Sequence, residues 1–365
     1  MKLECSKEKL VRAISKAEKI TGKNLSLPVL SCVLLDANNG NLKISSTNLD
    51  LGIEINVPAR VDEEGITAVS GSVLGSLLSS DFKSEKIKLE TKNENLNVLS
   101  DSYSTIIKSQ NSEDFPTIPR LKKDKVINIE SKKLVKGLKS VWYSSSTSNI
   151  KPELSSILIC SESNTIVFVA TDSFRLAEMK IDFNLEDFEQ ILIPFKNIPE
   201  ILRVFDDVDG DIKMYITENQ IAFEYENIYL TSRVIDGIFP DYKQLLPKEF
   251  KTEITVLKED LVNVLKVSNI FSDKFNKVSF SISPKDKKFE IRAVNSDVGE
   301  NVNRVDAVLK GDDIEINFNQ KYIMDCFQSI TTDSLVLKFN GLNKPMVIKS
   351  VPDTQFTYLV MPMNK

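Results

Sequence analysis

Lys2-Leu3-Glu4-Cys5-Ser6-Lys7-Glu8-Lys9-Leu10-Val11 opens the chain with apolar residues at every second position, then runs into a helix start. Alternation fills one face of a strand, and the change to helical spacing marks where the strand ends. The same signal returns as Ile127-Asn128-Ile129-Glu130-Ser131-Lys132-Lys133-Leu134-Val135, and again as Ile254-Thr255-Val256-Leu257-Lys258-Glu259-Asp260-Leu261-Val262. The matched leucines are Leu10, Leu134 and Leu261, at steps of 124 and 127 residues. A proline after an apolar residue closes each unit, at Phe115-Pro116, Phe239-Pro240 and Met361-Pro362, with steps of 124 and 122. A threefold repeat places function first in how the units are arranged, not in one catalytic pocket.

Each unit is doubled internally. Ile191-Leu192-Ile193-Pro194 reads as a strand, Asn197 as an N-cap and Pro199 as a first-turn proline, with Ile198, Ile201, Leu202 and Phe205 at helical spacing. In the third unit Ile314-Glu315-Ile316 leads to Asn319 as cap, then Tyr322, Ile323, Cys326, Phe327 and Ile330. In the first unit Ser72 precedes Val73, Leu74, Leu77 and Leu78. Asn93-Glu94-Asn95, Glu218-Asn219-Gln220 and Asn340-Gly341 sit between alternating runs and read as hairpin turns. The expectation is an α+β chain of three domains, 1–124, 125–250 and 251–365, each made of two strand-helix-hairpin halves, with no low-complexity linker between them.

Composition removes many chemistries. There is no histidine, so imidazole bases, Ser-His-Asp triads and His-based zinc sites are excluded. No phosphate-binding glycine loop is present, and the 12 glycines are scattered. The cysteines, Cys5, Cys32, Cys160 and Cys326, are far apart and read as core packing in a reducing compartment. Asp206-Asp207-Val208-Asp209-Gly210-Asp211 has some features of a calcium loop, but Phe205 and Ile216 occupy its first and last ligand positions, so it reads as a turn after a helix. No metal, cofactor or catalytic residue is expected. No apolar run reaches the ~18 residues of a membrane span, and Met1-Lys2-Leu3-Glu4 lacks a signal-peptide core, so the expected location is the cytoplasm.

The net charge of −5 conceals an asymmetry. Ser6 to Lys23 carries a net +4, and Ser131 to Trp142 another +4, leaving −13 on the rest. Lys9, Arg12, Lys16 and Lys19 share one helix face, opposite Leu10, Ala13, Ile14 and Ala17. Lys132, Lys136 and Lys139 repeat the arrangement against Leu134, Leu138 and Val141, whereas the third unit's first helix is neutral. Basic faces without aromatics suit phosphate contact that is salt-dependent and blind to sequence.

The chain resembles the bacterial DNA polymerase III beta subunit, the sliding clamp family, from end to end. The most specific pieces are Ala170-Thr171-Asp172-Ser173-Phe174-Arg175-Leu176-Ala177, Val234-Ile235-Asp236-Gly237-Ile238-Phe239-Pro240-Asp241-Tyr242, Lys274-Phe275 and Tyr358-Leu359-Val360-Met361-Pro362-Met363. The resemblance implies a head-to-tail homodimer forming a ring, with helices lining the hole and antiparallel sheets outside. Double-stranded DNA would thread it, and the replicative polymerase subunit, the clamp loader and other clamp-binding-motif proteins would tether to it. It implies no catalysis by the chain and no membrane partner. It places a partner-peptide pocket at Leu154, Thr171, Phe174, Arg175, Leu176, Pro240, Leu245, Phe275, Asn319, Tyr322, Leu342, Val360, Met361, Pro362 and Met363. Arg175 and Asn319 would fix polar peptide atoms. Phe174 stands where the family often has histidine, and Gln244 where it is frequently basic. DNA contacts are expected from Lys9, Arg12, Lys16, Lys23, Lys132, Lys136, Lys139, Lys151, Lys196 and Arg203. Ser70-Gly71-Ser72 departs from a usually basic stretch. Across the dimer seam, Thr105 and Ile107 are expected to face Ile270. An alternative is a protein-only interaction scaffold whose basic helices are incidental; an enzyme is a weaker rival.

Overall fold

The computed structural model describes residues 1–22, 26–81, 83–121, 126–183 and 188–363. Among these lie the helices α1 (Lys7–Ile20), α2 (Gly71–Ser80), α3 (Ser131–Val141), α4 (Ile198–Phe205), α5 (Lys258–Ile270) and α6 (Gln320–Cys326). Every one follows a strand directly or after a short 3-10 turn: Lys2–Ser6, Gly65–Ser70, Val126–Glu130, Ile191–Pro194, Thr252–Leu257 and Ile314–Asn319. Antiparallel strands follow each helix, so the strand-helix-hairpin half recurs through the chain as the repeats predict. The fold is α+β, in three domains of two halves.

The halves of a domain exchange their opening strands. Lys2–Ser6 pairs with Lys86–Lys92, and Gly65–Ser70 with Cys32–Asn38. Val126–Glu130 pairs with Asp211–Ile216, and Ile191–Pro194 with Ser156–Glu162. Thr252–Leu257 pairs with Ser334–Phe339, and Ile314–Asn319 with Lys277–Ser283. A half therefore cannot complete its sheet alone, which ties the two halves into one domain.

By contacts the chain forms two compact units, Met1–Leu134 with Lys196–Val234, and Val135–Phe195 with Ile235–Lys365. The division cuts through the central domain because sheets run on between domains. In the first unit Ile228–Arg233 pairs with Leu51–Glu63, making a 12-stranded sheet. In the second, Arg175–Asp182 pairs with Phe356–Val360, making a 9-stranded sheet beside a separate 4-stranded one.

Helix burial follows the apolar spacing. Helix α1 buries Leu10, Ala13, Ile14, Ala17 and Ile20, while Lys9, Arg12 and Lys19 lie on its exposed side. Helix α3 buries Leu134, Val135, Leu138 and Val141, with Lys132, Lys136 and Lys139 exposed. Gly137 of α3 is buried so closely that a β-carbon there would overlap the Phe168 ring. Gly137→Ala should cost roughly 1–3 kcal/mol, the usual range for overpacking a core. A lower denaturant midpoint at unchanged slope is the expected reading; an unchanged midpoint would mean the ring yields freely.

One cap differs from expectation. Ser70 caps α2, accepting from the Val73 amide. Asn197 stands at the α4 N-cap, but its side chain donates instead to Ser232 Oγ (2.9 Å) within the core. Asn319 caps α6 as expected, accepting from the Lys321 amide at 3.0 Å. The Asn93-Glu94 turn has both residues at positive φ (48° and 61°), the tight-hairpin geometry. The expected boundary at 124/125 lies outside the described residues.

Candidate functional site

A groove of about 560 Å³ lies in the second unit, lined by Phe174, Lys274, Phe275, Asn276, Asn319, Tyr322, Met361, Pro362 and Met363. It is built at the chain terminus. After the strand Phe356–Val360, the Met361 amide donates to the Phe174 carbonyl and the Met363 amide to the Asn317 carbonyl, both at 2.8 Å. These bonds pin the last apolar residues to the surface instead of letting them fray. Phe174 is 61% exposed, Phe275 58% and Met361 37%, so large apolar side chains face solvent with no covering segment among the described residues.

The other expected pocket residues, Leu154, Thr171, Arg175, Leu176, Pro240, Leu245, Leu342 and Val360, do not line this groove. Leu154, Thr171, Leu176 and Val360 are buried. Register joins several of them: Thr171 lies opposite Leu176, and Arg175 opposite Val360. Pro240, Leu245 and Leu342 are exposed. Gln244 donates to Asp241 Oδ2 at 2.8 Å.

The two polar residues expected to hold peptide atoms are already engaged. Arg175 pairs with Asp172 (2.9 Å) and Asp325 (2.5 Å), and its guanidinium stacks 4.6 Å over the Tyr322 ring. Only 11% of its side chain is exposed. It acts as a strut joining the loop before its own strand to α6. Asn319 caps α6 through its oxygen and donates to the Phe275 carbonyl at 3.3 Å. The groove thus presents mainly apolar side chains. Sequence reasoning left Lys274 and Asn276 off the lining. Lys274 Nζ lies 5.1 Å over the Phe275 ring, giving the rim a cation.

In the first unit the basic helix faces meet carboxylates. Lys16 Nζ donates to Asp207 Oδ1 (2.7 Å) and to the Val204 carbonyl (2.6 Å), leaving its side chain 13% exposed. Lys132 pairs with Asp209 at 2.7 Å, and that hydrogen bond raises the lysine's pKa. Arg12 pairs with Glu8 (2.7 Å), Lys196 with Asp50 (2.6 Å) and Arg203 with Glu200 (2.5 Å). Lys9 is exposed with no ion-pair partner among the described residues. In the second unit Lys136 donates to Gln355 Oε1 (2.9 Å), and Lys139 and Lys151 are exposed. Lys23 lies outside the described residues. No group of three or more acidic or cysteine side chains that could hold a metal occurs among the described residues.

The cysteines pack as expected. Burial pushes the Cys5 thiol up to about 12 and the Cys160 thiol to about 11, so neither is poised as a thiolate.

The expected seam residues fall on different surfaces. Ile270 is 66% exposed at the end of α5. Ile107 is buried at 6% exposure, and its neighbour Ile106 reaches solvent at 69%. Thr105 is half-buried. Two strands leave an edge open: among the described residues Ser104–Gln110 pairs fully only with Asn95–Leu99, and Gly299–Arg304 only with Lys288–Asn295.

The doubled halves, exchanged strands and continuous sheets define a clamp of three repeated domains. Matches to protein-family descriptions follow the same division: DNA polymerase III beta subunit, N-terminal domain over residues 1–119, central domain over 128–241 and C-terminal domain over 243–364. The chain belongs to the DNA polymerase III beta subunit family, the bacterial beta sliding clamps. It is 24% identical to the beta sliding clamp of Staphylococcus epidermidis over 376 residues, spanning 100% of this chain and 99% of that one. Among solved structures, the Thermotoga maritima DNA polymerase III beta subunit matches at a TM-score of 0.95 and 24% identity, covering 100% of this chain and 99% of that one. A Pseudomonas aeruginosa sliding clamp bound to griselimycin matches at 0.94 and 23%, covering 100% of both chains. At these identities the structural likeness establishes the fold.

Proposed function

We propose that this chain is a DNA polymerase processivity factor. Two copies join head to tail into a ring that encircles duplex DNA without sequence preference. The groove at the chain terminus tethers the replicative polymerase subunit, the clamp loader and other proteins carrying a clamp-binding motif. The observation that carries this reading is the succession of three beta-subunit domains ending in a solvent-facing apolar groove. Domain boundaries near 124 and 250 belong to this reading. In this reading the chain catalyses nothing itself, and its place is the cytoplasm. Among the described residues no helix is long and apolar enough to cross a membrane.

Open strand edges and exposed apolar residues support the ring. In the closed dimer the seam would pair Ser104–Gln110 of one copy with Gly299–Arg304 of the other, with Thr105, Ile107 and Ile270 near it. A heterologous contact whose rotation closes gives a ring rather than a filament.

The DNA surface is tested by charge reversal. Lys9→Glu with Arg12→Glu should weaken association with linear duplex of any sequence. The log–log salt slope should fall by at least about 0.9, the one contact of Lys9, because Arg12 is already paired with Glu8. Lys16 is left intact, because a glutamate there would face Asp207 and disturb the fold. Unaltered protein loaded onto a closed circle should stay bound at salt that strips it from linear DNA, since topology retains it. Equal salt sensitivity on both templates would sink the encircling reading and favour a protein-only scaffold.

A further inference from the structure

We infer that Asp207 and Asp209 set the strength of DNA contact, by holding Lys16 and Lys132 in internal ion pairs that duplex phosphates must displace. This rests on the proposal that α1 and α3 face DNA. The loop after α4 is fixed between these helices. Ser131 Oγ donates to the Phe205 carbonyl (2.8 Å) and the Ser131 amide to the Gly210 carbonyl (2.9 Å), tying both ends of the loop to the start of α3. Tyr225 donates to the Asp209 carbonyl at 2.8 Å. Gly210 has φ +133°, a conformation that side-chain-bearing residues rarely adopt, so the loop's path is set by its backbone. From this anchored loop Asp207 reaches α1 and Asp209 reaches α3, each with an oxygen 2.7 Å from a lysine nitrogen.

The two pairs differ in a useful way. Lys132 and Asp209 are 72% and 83% exposed, so their pair is cheap to open. Lys16 is 13% exposed and also bonded to the Val204 carbonyl, so it is held more firmly. A carboxylate occupying a lysine removes one site of counterion release, because that lysine arrives at DNA already neutralised. The corresponding loops after α2 and α6 carry no such acidic run, Ser80-Asp81 and Thr331-Thr332-Asp333 standing there. The acidic stretch of the central domain thus opposes a lysine late in α1 and one at the start of α3. It weakens their grip on phosphate, which suits a ring that must move along DNA while topology keeps it in place.

The test compares intact full-length protein with Asp207→Asn, Asp209→Asn and the double variant, titrated with short linear duplex across a salt series. Asparagine keeps the size and an acceptor oxygen, and removes the charge. Each substitution should tighten binding about eightfold near 0.1 M salt and steepen the log–log slope by about 0.9, the value of one phosphate contact. Lys16→Ala should abolish the gain from Asp207→Asn but leave that from Asp209→Asn. Asp209→Asn alters only an exposed pair, so it reports even where Asp207→Asn perturbs folding. Binding by the unaltered protein with no change of slope in Asp209→Asn overturns this inference and leaves the DNA reading standing. A gain from Asp207→Asn that survives Lys16→Ala overturns the pairing in favour of a diffuse field effect. Failure of the unaltered protein and every variant to bind duplex overturns both readings.

Discussion

Ile270→Asp should convert the proposed dimer into monomers. Ile270 is 66% exposed in the single chain, so aspartate there remains solvated and the domain should fold unchanged. The cost arises only on association, when the carboxylate loses water without gaining a partner. An unpaired ion buried in this way costs several kcal/mol, and each ~1.4 kcal/mol is a factor of ten. A head-to-tail ring of two contains the same seam twice, so the penalty enters twice. Dimer association should therefore weaken by roughly four orders of magnitude or more. Helix α5 packs against Lys288–Asn295 and the open edge strand Gly299–Arg304, which places the substitution on the element that supports that edge. Sedimentation at micromolar concentration should read the mass of one chain, with circular dichroism unchanged. A variant that stays dimeric would place the seam elsewhere. Ile106→Asp provides a check on the other side, because Ile106 is the solvent-facing isoleucine of its strand.

The repeated half was legible because its signal is local. The change of period at Ser6, Ser131 and Leu257 is written in consecutive residues, and each helix begins within a residue of it. The exposed lysines of α1 and α3 were equally legible, since the opposite face is apolar at helical spacing. What was not legible depends on packing between distant segments. Two serines flank Gly71, and helical spacing alone does not say which caps α2. The helix starts at Gly71 because its backbone sits against Val33 and Glu18, where a β-carbon would come within 3.0 and 3.2 Å of their side chains. Ile106 and Ile107 are both apolar, so alternation cannot say which faces in; pairing Ile107 with Leu96 decides it. Lys16 and Asp207 are 191 residues apart, and Arg175 and Asp325 are 150 apart. Those pairings engage expected ligand-binding cations within the chain, and no short-range pattern announces them. The terminal groove was expected only from the resemblance, which names Val360, Met361, Pro362 and Met363 among its residues. Its shape depends on the bonds from Met361 to Phe174 and from Met363 to Asn317.

Deleting Met361 to Lys365 should abolish measurable binding of a polymerase-derived clamp-binding peptide while leaving the solution mass unaltered. The deletion removes Met361, Pro362 and Met363 from the groove lining, leaving Phe174, Phe275 and Tyr322. Burying one apolar side chain of this size contributes roughly 1.5–3 kcal/mol, so the loss of two such contacts lowers affinity by roughly two to four orders of magnitude. Removing the Met361 and Met363 amides breaks two backbone hydrogen bonds at the surface, but the strand Phe356–Val360 keeps its pairing to Arg175–Asp182 and Met346–Val351. Tyr358 stays buried with its hydroxyl on the Tyr322 carbonyl (2.8 Å), so the core beneath the groove persists. The basic helices and both open strand edges lie outside the deleted segment, so dimer mass and retention on circular DNA should match the intact protein. Phe174→Ala, beside the deleted segment and 61% exposed, should weaken the same peptide with the terminus intact. Full peptide affinity in the truncated protein would show that the terminus only covers the core and that partners dock elsewhere.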